Sequence, residues 1–210
     1  MLPREPSSLA GIHETAKYLL AHLNLYSEES GEHSLRICTL AHRLGRSVGL
    51  SAGEMLVLRY GTMLHDVGKL DVPDRILHKT GQLSAAESHT MRRHSQDGAM
   101  ICRMRKMPEE VCAAILFHHE RWDGEGYPYG LRGEAVPLAS RVIAVVDTYD
   151  TIVNKRCFRQ AQAVEIARAE IERCAGTQFD PRVAEKFLFL LDSIAARREA
   201  LAGGKVGVAA

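Results

Sequence analysis

The amino-acid sequence predicts an all-α fold, a bundle of about seven to nine helices interrupted by one long loop. Apolar residues recur at helical spacing in nearly every segment of about ten residues or more. Alternating apolar and polar runs, the pattern of half-buried strands, do not reach a useful length. Two capping boxes of the form Ser-x-x-Glu, at Ser51 to Glu54 and at Ser84 to Glu87, mark further helix starts.

The N-terminal third of the chain predicts three helices. Residues 1–27 form an irregular lead and a first amphipathic helix. The acidic stretch from Ser27 to Glu32 is predicted to be a junction, and His33 then heads the buried stripe of the second helix. The third helix starts at the first capping box and runs to His65, and Gly68 frees the backbone just after it.

The middle of the chain predicts two helices that carry histidines toward the core. The helix that starts at the second capping box has His94 on its inward face. Pro108 suits the first position of the next helix, where His118 and His119 fall on neighbouring apolar stripes. All three imidazoles are therefore candidates for an interior site.

The C-terminal half predicts a long loop followed by three helices. Residues 120–137 are rich in glycine and proline and have neither helical nor strand period. In the next helix, over residues 138–153, Asp147 is costly to bury unless it is paired or bound to a metal. Two amphipathic helices complete the fold. The predicted divisions are a lead and helix at residues 1–27, one domain at 28–200 and a flexible tail at 201–210.

Composition limits the classes of function. Lys and Arg total 27 against 26 Asp and Glu, so no basic field predicts binding of a nucleic acid polymer. Five scattered cysteines without a Cys-x-x-Cys pair indicate reduced core residues, not disulfides or a zinc knuckle. Neither a signal peptide nor an apolar stretch approaching about 18 residues is found, which predicts a cytoplasmic protein without a membrane span.

The most informative feature is a set of imidazole and carboxylate side chains predicted to point inward. His65 and Asp66 are adjacent, and the plain alternative for such a pair is a helix end with a surface carboxylate. The set contains no thiolate, which favours iron, manganese or a similar borderline ion over structural zinc. The candidate metal ligands are Glu29, His33, His65, Asp66, His94, His118, His119 and Asp147.

This ligand set predicts a cluster of two or three divalent metal ions that share Asp66, because the ligands are too many for one octahedral ion. Two metals about 3.5–4 Å apart generate a hydroxide near neutral pH and stabilise both oxygens of an in-line phosphoryl displacement. Lys69 is a candidate for neutralising charge on the phosphate or the leaving oxygen. Asp66 and Lys69 are therefore the predicted catalytic residues.

Two motifs stand out in the chain. The string from His65 to Lys69, HDVGK, is followed by the string from His118 to Pro128, HHERWDGEGYP. Together they resemble the HD-GYP family of cyclic di-GMP phosphodiesterases. The first string is shared across the wider HD phosphohydrolase superfamily, whereas the second is highly specific. The resemblance covers about residues 28–190, and departures at Thr80 and residues 148–154 leave every candidate ligand intact.

The resemblance implies an all-helical HD fold and a binuclear or trinuclear metal site. It implies hydrolysis of cyclic di-GMP to the linear dinucleotide pGpG, to GMP, or to both. The family's metal ligands fall on the candidates already derived from the residues. Glu29 matches a carboxylate that holds a third metal in some members, and an exposed acidic junction is the alternative reading for it.

The resemblance also implies residues that bind substrate. Lys69 and Tyr127 would lie at the substrate, although Tyr127 could instead pack locally in a rigid Gly-Tyr-Pro turn. Arg156 and Arg159 match basic positions suited to phosphate, with solvated helix-end charges as the alternative. Asp150, one turn after the last ligand, is predicted to support the site through a hydrogen bond, with free surface as the alternative.

Two other functions stay open from the sequence. The chain could be a receptor that binds cyclic di-GMP or a protein, such as a diguanylate cyclase (GGDEF) domain, without catalysis. It could also be an HD hydrolase of another nucleotide, including a mixed cyclic dinucleotide. A separate sensor protein is a further possible partner. The sequence does not indicate an oligomeric state.

Overall fold

Helices make up nearly all regular structure in the computed structural model, which describes residues 8–154 and 161–203. Within these residues the strand-like pairing is limited to one bridge between Ala175 and Phe179, and the predicted all-α class is confirmed. Ten α-helical segments are described, nine of them eight residues or longer. They are α1 Leu9–Tyr26, α2 Glu28–Ser47, α3 Ala52–Leu64, α4 Asp74–Leu77, α5 Ala85–Arg92, α6 His94–Met104, α7 Glu109–Leu116, α8 Leu138–Val153, α9 Val164–Arg173 and α10 Pro181–Gly203.

Two clusters of buried apolar side chains hold these helices together. The first joins α2, α8 and α10 through residues such as Ile37, Ile143 and Phe187. The second joins α1, α3, α6 and α7 through residues such as Leu64 and Ile115. Since α3 contributes to both clusters, it links the two halves of the bundle. Burial of one such side chain stabilises the fold by about 1.5–3 kcal/mol, so both clusters help to hold α3 in place.

The described cysteines agree with the prediction of reduced residues. Cys38, Cys102, Cys112 and Cys174 are all free thiols, and the last three are buried; Cys157 lies outside the described residues. Among the described helices, none is both long enough and apolar enough to cross a lipid bilayer. At the C-terminus, α10 continues to Gly203, two residues beyond the predicted start of the tail.

The predicted junction from Ser27 to Glu32 is wrong, because α2 already begins at Glu28. Ser27 caps this helix, and its hydroxyl accepts a hydrogen bond from the backbone N–H of Ser30. Acidic residues in the first turn of a helix interact favourably with its dipole, so the acidic character of the stretch suits a helix start. Gly31 lies where an added Cβ would come within 2.4 Å of Asn24 Oδ1. Glycine therefore lets α1 and α2 approach each other closely here.

Three of the candidate histidines lie at helix ends, not within helices. The predicted helix from residue 108 ends at Leu116, so His118 and His119 follow it in a turn. The predicted helix through His94 is split at Arg93, which makes His94 the first residue of α6. The prediction that His118 and His119 share helical stripes is thus wrong, although both still point toward the interior.

Gly68 is required because two segments approach each other closely at this position. The sequence predicted that this glycine frees the backbone, and that is not the reason for it. The residue lies in a short 3₁₀ turn, Val67–Asp71, that packs on the start of α6. An added Cβ at Gly68 would lie 2.0 Å from His94 O and 2.4 Å from Gly98 N. Since these are backbone atoms, neither can move away easily, and the glycine keeps Asp66 and His94 adjacent.

We expect Gly68→Ala to lower the free energy of unfolding by about 3 kcal/mol, because overpacking against backbone costs this much. Urea unfolding of the metal-free protein measures the change. Gly53→Ala is the matched control, since an added Cβ there meets nothing within 4 Å and alanine favours the helix. Equal stability of the two variants would contradict the close approach described for Gly68.

Candidate metal centre

Seven of the eight predicted ligands converge where α2, α8 and the ends of α3, α5 and α7 meet. Two groups have ligand atoms within 4.8 Å of one another: His33, His65 and Asp66 form one, and His94, His118 and His119 form the other. The eighth prediction, Glu29, is in neither group. Asp147 of α8 adjoins the first group, with its Oδ1 atom 3.0 Å from His33 Nε2.

Asp66 belongs to the first group and also faces the second. Its Oδ1 atom is 3.6 Å from His94 Nε2, in the second group. Its Oδ2 atom is 3.5 Å from His65 Nε2, in the first group. A carboxylate with one oxygen directed at each set of imidazoles has the geometry that a bridging ligand needs. A bridging role stays the prediction for Asp66.

The last turns of three helices fix the orientation of three imidazoles. Backbone carbonyls in the last turn of a helix have no partner within the helix. His65 Nδ1 lies 2.9 Å from the carbonyl of Thr62 in α3. The same contact, three residues back along the chain, holds His94 at 2.7 Å and His118 at 2.6 Å. Because a carbonyl only accepts, each Nδ1 carries the proton and each Nε2 presents a bare lone pair.

The Nε2 atoms of the second group lie close together. His94 Nε2 lies 3.3 Å from His118 Nε2 and 3.2 Å from His119 Nε2. His65 Nε2 is buried and has no hydrogen-bond partner. Burial and the neighbouring imidazoles lower the pKa of His94, His118 and His119, that of His119 to about 3. Neutral imidazoles whose Nε2 atoms converge suit a divalent cation. The cation can bind the nitrogen lone pairs, so that the imidazoles need not be protonated.

The carboxylates of the centre stay ionised although they are enclosed. Burial alone would raise the pKa of Asp66, but attraction from Lys69 and the adjacent histidines holds it well below its usual range. Burial likewise opposes ionisation of Asp147, and the hydrogen bond and charge of His33 reverse the effect on its pKa. Burial lowers the pKa of His33, yet its hydrogen bonds to Asp147 and Asp150 outweigh burial and raise it.

Lys69 contacts the bridging carboxylate directly. Its Nζ atom lies 2.6 Å from Asp66 Oδ2, and 13% of its side chain is exposed. Asp66 directly precedes the 3₁₀ turn that contains Lys69 and that Gly68 holds against α6. The ammonium group therefore sits at the rim of the centre, where it meets both the ligand cluster and the adjoining cavity.

A cavity of about 620 Å³ opens beside the centre. Its wall includes the predicted residues Glu29, Lys69 and Tyr127, so the structure brings Glu29 to the same cavity but not to the ligand groups. Tyr127 stacks on His119 with ring centroids 4.8 Å apart and planes 28° apart. The guanidinium of Arg92 lies 5.3 Å from the Tyr127 ring centre. Tyr127 thus both packs locally and faces the cavity.

Arg156 and Arg159, predicted to bind substrate, lie outside the described residues. The structure does describe Asp150, and its Oδ2 atom lies 2.6 Å from His33 Nδ1. This contact is the supporting hydrogen bond that the sequence predicted. Arg36 was missed: its guanidinium lies 3.0 Å from the same carboxylate. Its position one turn after His33 on α2 could have indicated it.

The sequence also missed the role of Glu120 inside the second motif. This residue is 4% exposed, and its two carboxylate oxygens accept backbone hydrogen bonds from Tyr129 at 2.7 Å and Leu131 at 3.0 Å. Gly126 lies where an added Cβ would come within 2.4 Å of Arg121 N. These contacts fold the loop back on the turn after α7 and hold Tyr127 against His119.

Comparison with protein-family profiles matches the HD domain family over residues 17–183. The chain belongs to the HD domain family. HD domains are metal-dependent hydrolases, which agrees with the converging imidazole and carboxylate ligands described above. The match begins within α1, so the family region extends to the N-terminal side of the boundary predicted at residue 28.

Curated relatives of this HD domain confirm the resemblance read from its motifs. One is 34% identical over 202 residues and is named a 3′3′-cGAMP-specific phosphodiesterase of Vibrio cholerae; the match covers 92% of this chain and 38% of the relative. Another is 36% identical over 178 residues and is named a cyclic di-GMP phosphodiesterase of Thermotoga maritima, with 82% and 48% covered. The chain spans less than half the length of these relatives.

A solved structure has the same fold as this HD domain. It is a cyclic GMP-AMP specific phosphodiesterase of V. cholerae, with a TM-score of 0.66 and 22% sequence identity. The superposition covers 86% of this chain and 49% of the other. At this identity the likeness shows that the helical architecture is shared, and the chemistry must be argued from the site itself.

We expect the metal-free HD domain to lose stability as the pH falls below about 6.5, where an unfolded histidine gains its proton. Burial lowers the pKa of His119 to about 3, so the unfolded chain binds a proton in this range that the folded chain does not. His119→Gln should therefore reduce the slope of unfolding free energy against pH between about pH 5 and 6.

Urea unfolding in the presence of a chelator measures this slope. The exposed His42 of α2 supplies the control, and His42→Gln should leave the slope as in the unaltered protein. An unchanged slope for His119→Gln would contradict the assignment of His119 as a buried, neutral imidazole.

Proposed function

We propose that this chain is a metal-dependent phosphodiesterase that hydrolyses a cyclic dinucleotide, with cyclic di-GMP as the leading substrate. The observation that carries the proposal is the convergence of two ligand groups on Asp66 beside a cavity of about 620 Å³. A cavity of this volume lies within the range of about 300–1,000 Å³ typical of small-ligand sites. The relatives named as phosphodiesterases of cyclic di-GMP and 3′3′-cGAMP support the same class of substrate.

The two ligand groups would each hold one divalent ion, with Asp66 shared between them and Asp147 completing the first group. Glu29 would bind a third ion at the cavity wall if one is present. Imidazole and carboxylate ligands without thiolates favour iron or manganese. When bound, such ions polarise a phosphate oxygen and lower the pKa of a coordinated water toward neutrality.

The residues of the chain would orient the phosphodiester and balance its charge. Lys69 lies where its ammonium can contact a non-bridging phosphate oxygen or stabilise the departing sugar oxygen. Tyr127 offers an aromatic face at the cavity on which a base can stack. Arg156 and Arg159 stay proposed phosphate-binding residues from the family resemblance, and the diguanylate cyclase domain or sensor protein stays a predicted partner.

A mixed cyclic dinucleotide is the second candidate substrate, since one of the most similar relatives is named for 3′3′-cGAMP. Product analysis distinguishes the candidates: the metal-loaded protein is incubated with each dinucleotide, and the products are identified by chromatography and mass. Faster conversion of cyclic di-GMP to pGpG or GMP supports the leading proposal. Binding of cyclic di-GMP without any product would instead identify a receptor.

We expect Asp66→Asn to abolish hydrolysis and to lower the metal content, because it removes the anionic oxygens directed at both ligand groups. Elemental analysis of anaerobically purified protein and an assay on cyclic di-GMP measure the two effects. Circular dichroism should show that the helices persist. Asp71→Asn, at an exposed position on the same 3₁₀ turn, is the control and should retain both metal and activity. Full activity of Asp66→Asn would exclude a bridging role.

Lys69→Ala should retain the bound metal and lower kcat by about 100-fold or more, because it removes one preorganised cation from the site of developing charge. The same assay and elemental analysis apply. Lys69→Arg preserves the positive charge and should recover part of the activity. Loss of metal from Lys69→Ala would show that the lysine acts by holding Asp66 in place, and not on the substrate.

A further inference from the structure

His33 is held differently from three other imidazoles of the two ligand groups, His65, His94 and His118. His65, His94 and His118 each donate Nδ1–H to a backbone carbonyl at a helix end. His33 lies within α2, where backbone carbonyls already accept hydrogen bonds from the helix itself. A side chain must therefore orient this imidazole, and Asp150 of α8 does so with Oδ2 at 2.6 Å from Nδ1.

Asp150 is in turn held by a donor on α2 and by another just after α8. The carboxylate is 4% exposed, so its charge needs partners in the interior. Arg36 of α2 approaches it with two guanidinium nitrogens, Nη2 at 3.0 Å from Oδ2 and Nε at 3.3 Å from Oδ1. Asn154, just after α8, donates to Oδ1 at 2.8 Å. A two-nitrogen contact fixes the plane of the carboxylate as well as its position.

We infer that Arg36 is a positioning residue for the metal ion bound by His33, His65 and Asp66. Arg36 and Asn154 fix the Asp150 carboxylate, the carboxylate fixes the Nδ1 proton and ring plane of His33, and His33 Nε2 is thereby directed into the first ligand group. The inference rests on the proposed metal centre but not on the identity of its substrate. Arg36 itself is not among the residues that line the cavity beside the centre.

The two metal positions should therefore respond differently to a change at Arg36. In the second group, His94 and His118 are oriented by backbone carbonyls that no side-chain substitution removes. In the first group, His33 depends on a side-chain network that a single substitution breaks. Loss of such supporting contacts typically weakens metal binding by about 10- to 100-fold, and the loss should be confined to one of the two ions.

The competing explanation is that Arg36 forms an ordinary surface ion pair. Its side chain is 37% exposed and also lies 3.8 Å from Glu32, and exposed pairs of this kind contribute little to folding. In that case substitution would change neither metal affinity nor stability. If Arg36 instead served only to join α2 to α8, substitution would destabilise the metal-free protein and weaken both metal positions together.

Titration with Mn²⁺ separates these possibilities. Metal-free protein is titrated anaerobically, and free Mn²⁺ is counted by its electron paramagnetic resonance signal. The protein without substitution should bind two ions tightly. Arg36→Met should bind one ion with the same affinity and the other about 10-fold more weakly. Arg36→Lys, which keeps the charge but not the two-nitrogen contact, should fall between them.

Arg43→Met is the matched control, because Arg43 is an exposed arginine two turns further along α2. It should titrate like the unsubstituted protein. Arg36→Met also removes one partner of the buried Asp150 carboxylate, so the metal-free variant should melt below Arg43→Met. Positioning is therefore read from the uneven weakening of the two ions, because a general loss of stability would weaken both. Unchanged binding of both ions by Arg36→Met, or equal weakening of both, overturns the inference.

The same titration keeps this inference distinct from the proposed function. An unsubstituted protein that binds two Mn²⁺ ions but cleaves no cyclic dinucleotide overturns the proposed function and leaves the role of Arg36 testable by affinity alone. An unsubstituted protein that binds no Mn²⁺ overturns both, since no metal position would then exist for Arg36 to support.

Discussion

The hydrogen bonds from histidine Nδ1 atoms to helix-end carbonyls are the interaction on which the centre depends. Each helix leaves carbonyls without partners in its last turn, and α3, α5 and α7 all end at the same place. The imidazoles of His65, His94 and His118 satisfy one such carbonyl each. This one contact both completes the helix end and directs a bare Nε2 atom inward, so local folding and ligand geometry are determined together.

The electrostatics of the centre follow from this geometry. Neutral imidazoles crowd around Asp66 and Asp147, and burial would make both carboxylates costly if nothing compensated their charge. Lys69 and His33 supply part of that compensation. Bound divalent ions would supply the rest, which explains why acceptor atoms are allowed to face one another at hydrogen-bond distance.

Helix periodicity predicted most of the elements, but it failed where helices end. His118 and His119 continue the apolar stripes of α7 in sequence, yet the helix ends at Leu116 and the histidines follow in a turn. The His118 side chain donates to the Ile115 carbonyl, which a further helical turn would use, an effect that a count of apolar positions does not register. The reason for a glycine was also not visible in the sequence. Gly31 and Gly68 are required because an added Cβ would collide with atoms of another segment of the fold.

The sequence by itself determined the all-α class and the family, and it predicted as metal ligands seven side chains that the fold brings together, because residue type, spacing and motif strings are local properties. Only the tertiary structure decided that Asp66 of the first ligand group also faces the second, that Glu29 stands apart at the cavity wall, and that Arg36 reaches Asp150. These facts depend on how α2, α6 and α8 are brought together by packing, and contacts between residues more than 100 positions apart leave no periodic signal in one sequence.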